Sequence, residues 1–187
     1  MISQASSLNL EELMLKIWFS ISGMVLFGIL GCTDSKNTMG IVPNLKFQQT
    51  TVIPSGLGYD SLVWLDVQFE DGDGDIGLGL SDTLGDFAYG KYDFHNLKVY
   101  YLYLENGRWV YPLNPLTSAD TITFHERLPV LTPTGKSKAI SSDLRLKIPV
   151  KPYGFSGDSI KYRLRISDRL KHRSQWVESP LLVVKPQ

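Results

Sequence analysis

One cysteine stands in 187 residues, at position 32, and no second thiol exists for it to pair with. A disulfide framework is therefore excluded, and stability must come from an apolar core or a bound ion. Histidine is scarce too: His95, His125 and His172 are widely spaced and make no metal-ligand pattern such as HExxH. "GFSGD" misses the G-x-S-x-G spacing of a nucleophile elbow, because Gly157 comes one residue early. No glycine-rich phosphate loop leads into Lys-Ser or Lys-Thr. The chain lacks a catalytic constellation and reads as a non-enzyme. It also lacks net charge, with 19 basic and 19 acidic residues, so nothing attracts it in bulk to nucleic acid. An apolar content of 43% is ordinary for a globular chain and excludes global disorder.

The balanced charge is unevenly placed. Asp66 to Asp93 holds eight acids against Lys91 alone, whereas Arg127 to Trp176 holds twelve bases against three acids. Two segments of opposite sign are expected to face each other within one fold.

The one long apolar run, Ile17 to Leu30, follows Lys16 and ends in Gly31-Cys32. A membrane-spanning helix needs roughly 20 apolar residues, so this run suits the core of a secretory signal instead. "ILGC" resembles a bacterial lipobox, which implies cleavage before Cys32 and acylation of its thiol and amine. Residues 1 to 13 carry Glu11 and Glu12 and no base, unlike a positive n-region, so Met14 is the expected start. The expected organisation is a signal over 1–31, a lipidated tether over 32–44 and a domain over 45–187.

After Cys32 no segment sustains a 3.6-residue period. "LVWLDVQF" alternates, with Val63, Leu65, Val67 and Phe69 on one face and Asp66 and Gln68 on the other. "LKVYYLYLENGRWVYPL" predicts a hairpin about Asn106-Gly107. "DLRLKIPV" and "SIKYRLRIS" alternate in the same way, and "LKFQQTTVI" opens the domain. "WVESPLLVV" predicts a last strand whose Pro180 favours an edge or a bulge. Six or seven such strands predict an all-β, antiparallel sandwich of immunoglobulin or fibronectin type, with a small lipocalin-like barrel as the alternative. The aromatic-rich loop from Asp82 to Asn96 is expected to cover an open end of a sheet. Trp109, Trp176 and its tyrosines are the candidates for stacking on sugars, against the commoner role of packing.

"FEDGDGDIGLGLSD" is the sharpest feature. Asp71, Asp73 and Asp75 have the one-three-five spacing by which calcium loops present carboxylates, with Gly77 at position seven and Asp82 at position twelve. Ile76 stands where an EF-hand needs glycine and no helix flanks the loop, which excludes that motif. Three readings stay open: a calcium site at a strand end, a solvated Asp-Gly turn, or neutralisation by Arg145, Lys147 or another base.

Lipobox, tether, "FEDGDGDIG" and "LPVLTPTGKSKAI" together resemble lipoproteins of Bacteroidota-type Gram-negative bacteria. The resemblance implies an outer-membrane location and an Ig-like domain, and implies no activity. The expected function is a lipid-anchored envelope binding or scaffold module for a protein or glycan partner, with no nucleic acid. The alternative is a small-molecule carrier with a barrel interior.

Overall fold

The computed structural model describes residues 39–133, 138–150, 152 and 158–185. The signal segment, Met14 and Cys32 lie outside the described residues. The described residues form two antiparallel sheets and no α-helix. The first sheet has the order β1 (Asn44–Pro54), β2 (Asp60–Asp71), β5 (Ile140–Pro149). The second runs β4 (Arg108–Val110), β3 (Leu97–Glu105), β6 (Ser159–Ile166), β7 (Val177–Glu178), with β8 (Leu182–Val183) also on β6. No ladder joins the two sheets among the described residues, so the fold is the expected sandwich.

The alternation read from the sequence is what buries the core. Val63, Leu65, Val67 and Phe69 of β2 face Val99 and Tyr101 of β3 and Ile160, Tyr162, Leu164 and Ile166 of β6, all at 0–1% exposure. Each such side chain contributes roughly 1.5–3 kcal/mol by leaving water. Asn106 (φ 49°) and Gly107 (φ 77°) both take the left-handed region, which gives the hairpin its tight turn between β3 and β4. The single last strand expected over "WVESPLLVV" is instead two short ones. Both pair with β6, and Pro180, which has no N–H to give a ladder, lies in the break.

The two charged segments do meet. Arg145 pairs with Asp66, Arg169 with Asp82, Lys171 with Asp86 and Arg173 with Asp93. The last two pairs fasten the loop between Asp82 and Asn96, which carries two single-turn 3-10 helices, Gly85–Phe87 and Tyr92–Phe94. This loop lies on the outer face of the second sheet, where the Tyr92 ring sits over Lys98 and Arg173.

Candidate metal centre

The acidic loop is the exit of β2, and it is threaded through the interior. Asp71 is 0% exposed and Ile76, the residue that breaks the EF-hand pattern, is a core side chain. The Ile76 carbonyl accepts from Leu131 N at 3.1 Å, and Leu78 N donates to Leu128 O at 2.9 Å. Glycine is required by both conformation and space. Gly74 has φ +65°, and a Cβ there would lie 1.6 Å from the Lys138 carbonyl oxygen. Gly77 has φ +110°, and its Cβ would lie 2.0 Å from the Pro129 oxygen. Gly77 thus lets the loop pass close to a neighbouring stretch of backbone.

This packing turns three carboxylates toward one point. One ligand oxygen from each of Asp71, Asp73 and Asp75 lies within 4.8 Å of the others. The three Oδ1 atoms are each buried and make no hydrogen bond. The other oxygen of Asp71 accepts from Asp75 N at 2.9 Å, which closes the turn. Burial, followed by repulsion from Asp73 and Asp75, pushes the Asp71 carboxyl up to about 6. Asp75 is raised as well, by burial first and then by Asp168 and Asp73.

Two features of these positions bear on the competing readings. The three Oδ1 atoms each expose less than 1 Å². Among the described residues no lysine or arginine pairs with the triad. Arg145 is spent on Asp66, with Nε 2.6 Å from Oδ1 and Nη2 2.9 Å from Oδ2. Asp82 does not join the cluster. Its Oδ2 accepts from Gly79 N at 2.7 Å and meets Arg169 at 3.0 Å, so it is a turn-closing residue at the loop's far end.

Sequence reasoning missed the neighbour that matters most. Asp168, 1% exposed, raises both Asp71 and Asp75 electrostatically. Its Oδ1 accepts from His172 N at 2.8 Å and its Oδ2 lies 2.7 Å from His172 Nδ1. That bond and the Asp168 charge raise the His172 imidazole above its usual range. Arg169 N donates to the Asp75 carbonyl at 3.3 Å, so the 168–172 turn lies directly on the acidic loop. The signal available was the Asp168–His172 spacing of four, which closes a turn.

Chemically the arrangement is a hard, anionic oxygen site. Calcium takes oxygen ligands at about 2.3–2.6 Å, so opposite ligands stand roughly 4.6–5.2 Å apart. Separations of up to 4.8 Å suit such an ion at the centre. Each Oδ1 exposes less than 1 Å², so these donors lie beneath the surface of the loop. No family model, curated protein or solved structure matches this chain.

Proposed function

We propose that this chain is a lipid-anchored binding or scaffold module of the cell envelope, held at the outer membrane through Cys32, whose β-sandwich is completed by calcium. The ion binds Asp71, Asp73 and Asp75 and fixes the exit of β2 against the 168–172 turn. The observation that carries the metal reading is the convergence of one carboxylate oxygen from each of the three aspartates within 4.8 Å, in a group where each aspartate also has a buried Oδ1 with no hydrogen-bond partner. Left bare, such a group costs several kcal/mol, and a divalent cation removes the cost. The burial of the three Oδ1 atoms against the core supports a structural ion rather than a catalytic one.

The anchor rests on the apolar run and "ILGC". The module reading, against a carrier, is supported by a core filled with Phe69, Tyr101, Tyr162 and aliphatic side chains. Equilibrium dialysis of the full-length chain tests the metal: one calcium per chain is expected, lost in Asp71→Asn, and no bound calcium contradicts the reading. Fatty-acid labelling tests the anchor. Cys32→Ser should abolish it, and labelling that persists contradicts the address.

A further inference from the structure

A second concavity lies away from the acidic loop, and its chemistry is different. The segment from Tyr89 to His95, the start of β3 and the stretch from Asn114 to His125 enclose a pocket of about 420 Å³. That falls within the range of small-ligand sites, roughly 300–1,000 Å³. Tyr89 stands at its rim with 88% of its surface exposed, steadied edge-on by Phe94 at 5.3 Å between ring centres. An exposed aromatic ring costs water contact and is held here by one neighbour, which leaves a face free for a ligand.

The remaining lining is polar without a dominant charge. Asp120 lines the same pocket as Lys91 and Lys98, so a fully anionic or a fully cationic ligand meets a like charge. Lys98 is already occupied: its Nζ donates to the Tyr92 carbonyl and sits 4.4 Å from that ring centre. His95 and His125 stack edge-on, 5.8 Å apart. Burial first, then nearby positive charge, lowers both imidazoles, His125 to about 4, so each is uncharged at neutral pH. Thr121 and Thr123 add hydroxyls that make no side-chain hydrogen bond among the described residues. The hydroxyls and the neutral imidazoles donate and accept, with His125 Nδ1 already engaged by the Val99 backbone, and the carboxylate accepts.

An aromatic face beside a rim of neutral donors and acceptors matches one class of ligand: a ring with an apolar C–H face and hydroxyls around its edge. We infer that this pocket is a subsite for a neutral sugar unit, with Tyr89 stacking on the ring and Asp120, Thr121 and Thr123 holding its hydroxyls. The inference needs no metal in the acidic loop and stands or falls apart from it.

The test is ligand-observed NMR on the full-length chain in a detergent without a sugar headgroup. Glucose, galactose, mannose, N-acetylglucosamine and their β- and α-linked disaccharides are titrated to about 50 mM, with glucuronate as the charged comparison, because single-unit sites bind in the millimolar range. Binding of at least one neutral sugar is expected, weakened about tenfold in Tyr89→Ala and in Asp120→Ala and retained in Tyr89→Trp. Both weakened residues are exposed, so their variants should melt as the parent does. No binding of any neutral sugar, preference for glucuronate, or full binding by Tyr89→Ala would each overturn the inference.

Discussion

Asp66 and Arg145 sit directly opposite each other on β2 and β5, joined by two bonds of 2.6 and 2.9 Å, with Gln49 of β1 adding a third at 2.8 Å. This row ties three strands together on the outer face of the first sheet. It also occupies Arg145, one of the bases that could have answered the charge of the acidic loop.

Truncation of Arg145 separates the two roles. Arg145→Gln should lower the urea midpoint modestly by removing charge-assisted bonds to a mostly buried carboxylate, while solvent screens the exposed guanidinium. The Arg145 and Gln49 bonds hold Asp66 below the usual carboxylate range. That contribution is present above the unfolded value near 3.9 and is lost as the pH falls below it. Chemical denaturation at pH 7 and pH 3 should therefore show the variant's deficit shrinking in acid. The calcium response should be untouched. A calcium response that vanishes in Arg145→Gln would mean that this base serves the loop after all.

Gly74 and Gly56 give a matched pair of backbone tests. Both have positive φ, at +65° and +82°, but a Cβ at Gly56 meets nothing within 4 Å. Gly56→Ala should cost about 1 kcal/mol, the conformational penalty alone. Gly74→Ala must also displace the Lys138 carbonyl, and it should cost about 3 kcal/mol or more. Urea denaturation decides it, and equal losses at the two sites would show that the loop is not packed against Lys138.

His125 carries a pH signature. Its folded-state value near 4 lies below the ordinary 6.5, so the unfolded chain binds the proton more readily between those values. Stability is full above about pH 6.5 and falls as the pH drops toward 4, by roughly 1–3 kcal/mol once its partly exposed edge is allowed for. Melting temperatures of His125→Gln should decline less steeply over that window than those of the parent. Parallel slopes would place the imidazole in water.

Alternation made the strands legible, because a period of two is the direct consequence of a sheet with one buried face. Val63 to Phe69 and Ile160 to Ile166 were readable for that reason alone. Asn106-Gly107 was readable because few residues tolerate a left-handed turn. The break at Pro180 was half legible: proline announced a disturbance without fixing where pairing resumes. In the acidic loop, spacing identified Asp71, Asp73 and Asp75 but misplaced Asp82, because a linear count assumes one continuous turn. The chain instead closes early on Gly79 N. Asp168 was invisible as a neighbour, since its proximity depends on β6 pairing across the second sheet. The pocket was half legible: Tyr89 is one of the loop tyrosines named as stacking candidates, but the walls come from three segments that no local pattern links.

The most direct measurement is thermal melting of the full-length chain at neutral pH, in millimolar calcium and in chelator. An ion that binds only the folded state at about 100 times its dissociation constant adds roughly 2.7 kcal/mol. For a domain of this size that is a rise of roughly 5–10 °C. In chelator the bare triad repels itself, so Asp73→Asn with Asp75→Asn should melt at least as high as the parent. In calcium the same variant should melt lower, and the two orders of stability should cross. Coincident melting curves for the parent with calcium and with chelator would contradict the metal centre.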